Sequence, residues 1–130
     1  FNKPLNPIHL ALSAGATFVA RCNARDLDHT QKIIEIAVQH KGFSFVEIIQ
    51  DCLVFNPEMN NRDKQMYNLP DKKYSFMEAI KLSQEYDYTS KEGKIPLGIF
   101  YQTYRKTLHE EWPQLEMLKK KGIGWKNVKR

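Results

Sequence analysis

Gly42-Phe43-Ser44-Phe45-Val46-Glu47-Ile48-Ile49-Gln50-Asp51-Cys52-Leu53-Val54-Phe55-Asn56-Pro57 is an apolar run that leads into a cysteine and then a turn. Phe43, Phe45 and Ile49 alternate with Val46 and Ile48, so both faces of the run are largely apolar. That pattern predicts a central strand covered on both sides in a parallel sheet, with Phe45 and Ile49 buried and Cys52 just past its carboxyl end. In open α/β sheets ligands collect at that edge, because the loops leaving the strands diverge and open a crevice.

Working outward toward the start, Asn6 can cap a helix whose first position suits Pro7, with Ile8, Ala11 and Leu12 on one face and Gly15 ending it. Residues 16–21 read as a short buried strand. Asp26 or Asp28 then caps a second helix with an inner stripe of Thr30, Ile33, Ile34, Ala37 and Val38, closed by His40-Lys41-Gly42. Strand, helix and strand in this order make a βαβ unit with parallel strands and a right-handed crossover. The intervening turn, Cys22-Asn23-Ala24-Arg25, has no glycine and so lacks the close-approach backbone of a nucleotide phosphate cradle.

Working outward toward the end, residues 56–73 are polar and predict a long loop. Ser75 with Glu78 forms a capping box for a helix through about residue 86, with Phe76, Ala79 and Ile80 inward. Residues 95–101 are strand-like, and Pro96 places the start of that strand at an edge or bulge. From Thr107 one more helix is interrupted by Pro113, and Lys119 to Arg130 form a basic tail containing Trp125. The fold class is therefore α/β: a parallel-sheet βαβ unit over 1–57, a loop, helix and strand extension over 58–106, and a C-terminal helix and tail over 107–130.

With 130 residues and 42% hydrophobic residues, the chain can bury one core. The first residue is Phe1, which implies processing or an upstream portion, and no apolar segment of a signal peptide follows. No apolar run approaches the roughly 20 residues needed to span a bilayer, so a soluble, cytoplasmic protein with no membrane partner is expected. Two cysteines do not make a disulfide framework and read as reduced thiols. The formal charge of +5 favours acidic partners without choosing among them.

Little else in the sequence carries chemistry. His9, His29, His40 and His109 are scattered without metal-ligand spacing, and Glu110-Glu111 belongs on a solvated helix face. No serine or cysteine has a base in a nucleophile arrangement. Taken by itself, Cys52 is either a structural thiol or one ligand of a metal group completed from elsewhere. A single thiolate cannot hold zinc or an iron–sulfur cluster, which takes about four ligands.

Lys3-Pro4-Leu5-Asn6-Pro7, residues 14–21, residues 40–47, Cys52 with Val54-Phe55-Asn56, and residues 93–101 together resemble, in order, the C-terminal half of the beta subunit of a 2-oxoacid:ferredoxin oxidoreductase. The resemblance implies half of a thiamine diphosphate-binding domain. It implies oxidative decarboxylation of a 2-oxoacid to an acyl-CoA, with electrons passing through a 4Fe–4S cluster to ferredoxin. Cys52 matches a late cluster-ligand cysteine, and is the cofactor-binding and metal residue expected here; no catalytic residue is carried over. The other cluster cysteines, and the Gly-Asp-Gly element for Mg2+ and thiamine diphosphate, belong to the N-terminal half of the subunit. These residues alone are thus expected to be inactive.

The resemblance implies as partners the N-terminal half, an alpha subunit, ferredoxin, coenzyme A and the 2-oxoacid. No role is carried over to Cys22. Cys52-Leu53-Val54-Phe55-Asn56 is closer to the 2-oxoglutarate or general 2-oxoacid type than to the Cys-Pro-Thr-Gly of the pyruvate type. Arg62, Lys64, Lys72 and Lys73 would place positive charge near the electron exit for an acidic ferredoxin. The alternative is a noncatalytic basic module binding nucleic acid or an acidic protein through Lys119 to Arg130.

Overall fold

The computed structural model describes residues 4–55, 57, 60–89 and 92–124. Its elements in chain order are α1 (Pro7–Ser13), β1 (Phe18–Asn23), α2 (Leu27–Gln39), β2 (Ser44–Ile49), β3 (Met66–Asn68), α3 (Phe76–Ser83), β4 (Ile95–Gln102), α4 (Leu108–Glu111) and α5 (Pro113–Lys120). A short 3-10 turn, Asp63–Gln65, leads into β3. The four strands form one sheet in the order β2-β1-β4-β3.

The βαβ unit is present as expected, with β1 and β2 parallel and α2 between them. β3 and β4 are also parallel, whereas β4 runs antiparallel to β1, which makes the α/β sheet mixed. The core lies on both sides of β1. Val19 meets Ile8, Ala11, Leu12, Ala79 and Phe100 on the face covered by α1 and α3. Phe18, Ala20 and Cys22 meet Ile33 on the face covered by α2. This alternation follows from the two-residue period of a strand buried on both faces.

The helix starts follow their caps. Asn6 accepts the backbone N–H of His9, Asp26 that of His29, and Ser75 that of Glu78 with Glu78 reciprocating to the Ser75 N–H. After α1, Gly15 takes a φ of +85° that a side chain would disfavour. The step from α2 into β2 is bound to the start of β1. Thr17 Oγ1 accepts from the Phe43 N–H and donates to its carbonyl oxygen, and lies 2.8 Å from His40 Nε2.

Several expectations are corrected. Among the described residues β2 is not central: it is an edge strand paired with β1 alone, and Phe45 and Ile49 are half-buried. β1 and β4 are the two interior strands, and β1 is paired with β2 and β4 while carrying small residues that admit helices on both faces. In α2 the buried stripe is Thr30 and Ile33 with Ala37 partly buried, while Ile34 and Val38 are exposed because they lie one step around the helix. Phe76 is exposed on α3, its ring standing edge-on against Tyr101.

The expected long loop contains β3, a strand too short to show a period of its own and made by pairing with β4. Pro96 sits where β4 pairs with β3 alone, since pairing with β1 begins only at Gly98. Past Thr107 the helix is divided at Trp112, where Pro113 opens α5. Trp125 and the remainder of the basic tail lie outside the described residues.

Candidate functional site at the end of β2

β1 and β2 stop pairing at Asn23 and Ile49, and Cys52 follows three residues beyond, at the carboxyl edge as expected. Its backbone N–H donates to Asn60 Oδ1 at 2.8 Å, and its carbonyl oxygen accepts from Asn60 Nδ2 at 3.0 Å. Its sulfur accepts the Phe55 backbone N–H at 3.3 Å. An N–H aimed at sulfur is among the interactions that tune thiolate-held clusters. Immediately after Cys52, Leu53, Val54 and Phe55 are exposed by 85%, 76% and 93%, an apolar surface that rims the thiol.

Cys52 lines a cavity of about 220 Å³ with Asp51, Asn60, Arg62, Tyr86 and Tyr88 among its walls. Behind it is a buried ionic network that the sequence reading did not find. Arg21 is fully buried; its Nε donates to Glu47 Oε2 at 2.6 Å, its second guanidinium nitrogen to Tyr88 OH at 2.8 Å, and its first to the Pro96 carbonyl at 3.3 Å. The Tyr88 hydroxyl in turn donates to Glu47 at 2.9 Å. Burial raises the Tyr88 pKa, which keeps the phenol protonated as that donor.

Two guanidinium groups approach the Tyr86 ring, that of Arg21 at 5.0 Å and that of Arg62 at 4.9 Å from its centroid. Arg62 is 7% exposed, with bonds to Gln65 and to the carbonyls of Asp87 and Glu92. It is therefore a structural anchor rather than a surface charge for an electron partner. Lys72 and Lys73 line a separate groove beside α2, and Lys72 is paired with Glu78 at 3.3 Å. Neither lysine lines the Cys52 cavity. On the cavity's outer side Arg25 bridges Asp51 and Asp63.

The remaining candidates stay apart from the cavity walls. Cys22 is buried on β1, and burial pushes its thiol up to about 11, a protonated packing residue. Among the described residues no three His, Cys, Asp or Glu side chains gather as a metal site. Of the expected site residues, the structure places one thiol, that of partly exposed Cys52, at this edge. The chain contains no Gly-Asp-Gly sequence.

What the fold defines is an α/β protein with its candidate ligand at the carboxyl edge of the sheet. The chain is 34% identical over 128 residues to the 2-oxoacid:ferredoxin oxidoreductase subunit beta of Saccharolobus solfataricus, covering 86% of this chain and 42% of that relative. It is 47% identical over 53 residues to the 2-oxoglutarate oxidoreductase subunit KorB of Mycobacterium tuberculosis, covering 41% of this chain and 14% of the relative. Among solved structures it matches 2-oxoglutarate:ferredoxin oxidoreductase from Magnetococcus marinus with 2-oxoglutarate, coenzyme A and succinyl-CoA bound. That match has a TM-score of 0.76 and 25% identity, over 95% of this chain and 42% of that one. No protein-family model matches the chain.

Over most of its length the chain is similar to the beta subunits of 2-oxoacid:ferredoxin oxidoreductases. It spans about two fifths of the length of the relatives it matches over most of its length.

Proposed function

We propose that these residues are the C-terminal portion of a beta subunit whose assembled enzyme oxidatively decarboxylates 2-oxoglutarate to an acyl-CoA and delivers the electrons to ferredoxin. The observation that carries this reading is the match of 95% of the chain to a 2-oxoglutarate:ferredoxin oxidoreductase structure. The KorB likeness over 53 residues supports the choice of 2-oxoglutarate. In this reading 1–57 and 58–106 are parts of one thiamine diphosphate-binding domain, and 107–130 form an appended helix and tail. Thiamine diphosphate with Mg2+, when bound by the rest of the subunit, supplies the carbanion chemistry, and a 4Fe–4S cluster the electron exit.

This chain's own contributions are a half sheet and a thiol. β2 offers an edge to which further strands of the subunit can add, since an exposed strand edge is a ready template for pairing. Cys52 gives one thiolate to the cluster, and the exposed Leu53, Val54 and Phe55 pack against the part of the subunit that carries the other ligands. The alpha subunit completes the substrate site. Localisation is cytoplasmic; among the described residues no helix is long and apolar enough to cross a membrane.

The test is turnover by the assembled enzyme. Coexpressed with the rest of the beta subunit and the alpha subunit, it should reduce ferredoxin with 2-oxoglutarate and coenzyme A, at higher kcat/KM than with pyruvate. Equal or better use of pyruvate overturns the substrate assignment. Coenzyme A-independent reduction overturns the reaction.

A further inference from the structure

Past Ile49 the sheet ends, and the last ladder-like bond is from the Ala24 N–H to the Ile49 carbonyl at 2.9 Å. Both backbone polar groups of Cys52 therefore lie beyond any strand partner, yet both are bound by one side chain. Asn60 receives the Cys52 N–H at 2.8 Å and returns its own N–H to the Cys52 carbonyl at 3.0 Å. A carboxamide is a side-chain copy of the peptide group, with donor and acceptor in one plane, so Asn60 acts here as a one-residue strand pairing. Hydroxyl and carboxylate side chains cannot reproduce both bonds in that geometry.

The clamp is held from behind. The Asn60 N–H bonds back to the Pro57 carbonyl at 3.2 Å. Asn61 takes a φ of +59°, a left-handed turn that asparagine tolerates better than most residues. Arg62, buried and bonded to Gln65, Asp87 and Glu92, fixes the chain on the far side of that turn. With its main chain pinned at both ends, Cys52 has its Cβ direction set, and the Phe55 N–H steadies the sulfur at 3.3 Å.

We propose that Asn60 is a positioning residue whose carboxamide fixes the direction in which Cys52 presents its thiolate to an iron of the cluster. This rests on the reading of Cys52 as a cluster ligand. Residues that orient a metal ligand are worth about 10- to 100-fold in metal affinity when removed. The assembled enzyme, as wild type, Asn60→Ala, Asn60→Asp and Cys52→Ser, is compared for the rate of iron loss to a chelator and the midpoint potential of the cluster, with thermal unfolding as a control.

Asn60→Ala should lose iron at least about tenfold faster and shift the potential while its unfolding midpoint stays near wild type. Asn60→Asp keeps the acceptor for the Cys52 N–H but not the donor, and should fall between Asn60→Ala and wild type. Wild-type iron loss and potential in Asn60→Ala overturn the proposal. If Asn60→Ala does not fold, wild-type values in Asn60→Asp overturn it equally. If Cys52→Ser also leaves both quantities unchanged, the ligand reading itself fails; if only Cys52→Ser changes them, the ligand reading stands and the positioning role falls.

Discussion

Arg21 is a full positive charge with no exposed surface, and it is tolerable because Glu47, Tyr88 and the Pro96 carbonyl give each guanidinium nitrogen a partner. Removing one partner of such a pair strands the other. Glu47→Ala should cost about 3–5 kcal/mol in urea unfolding, while the double change Arg21→Met with Glu47→Leu should cost much less, because it leaves no buried charge behind. Both charges are visible in the sequence inside apolar runs. Their pairing is not, because it depends on the register that sets Arg21 opposite Glu47, and on Tyr88 arriving from a polar connection.

The two thiols differ in the same terms. Cys22 is sealed in the sheet with its pKa pushed up to about 11, whereas Cys52 lies partly exposed in a loop. Alkylation of the folded chain at pH 8 should modify Cys52 and spare Cys22 until denaturant is added. Because burial raises the Cys22 pKa from 9.0, its contribution to stability is whole below pH 9 and falls as pH rises toward 11. Cys22→Ala should flatten part of that alkaline slope, leaving the part due to Tyr67 and Tyr88, whose pKa values burial also raises.

Among the elements, the helices were the most legible, because their caps are local. The Ser75–Glu78 box is present with both bonds, at 3.3 Å and 2.8 Å. Ser75→Ala should cost about 1 kcal/mol. The Ser75 N–H holds the Glu78 carboxyl down to about 2, so the stability it lends is whole above pH 4.5 and is lost as pH falls toward 2. In Ser75→Ala the acid limb of the unfolding curve retains the share due to that backbone bond.

Strands were harder. β2 was recognised by its apolar run, but the run does not reveal that its neighbour β1 takes the centre. Phe45, half-buried, should accordingly lose less on truncation than Phe18, whose ring is fully buried and whose change to alanine should cost about 3–5 kcal/mol. β3 has no periodic signal at all and exists through its pairing with β4.

At the scale of the molecule, the βαβ unit and the place of Cys52 at its edge were legible, since the order of elements dictates them. The antiparallel entry of β4 between β1 and β3 was not, because pairing across long connections leaves no local trace. The apolar triplet after Cys52 is exposed here, and the relatives are more than twice as long as this chain. Both facts support the proposal that the site is completed by the rest of a subunit.

The most direct measurement is anaerobic reconstitution with iron and sulfide, followed by optical and EPR spectra, on this chain alone, on the full-length subunit and on its Cys52→Ser variant. The account predicts no stable 4Fe–4S signal from the chain alone, a full signal from the subunit, and a weakened or shifted one in the variant. A complete cluster on the isolated chain, or an unaltered cluster in Cys52→Ser, would contradict it.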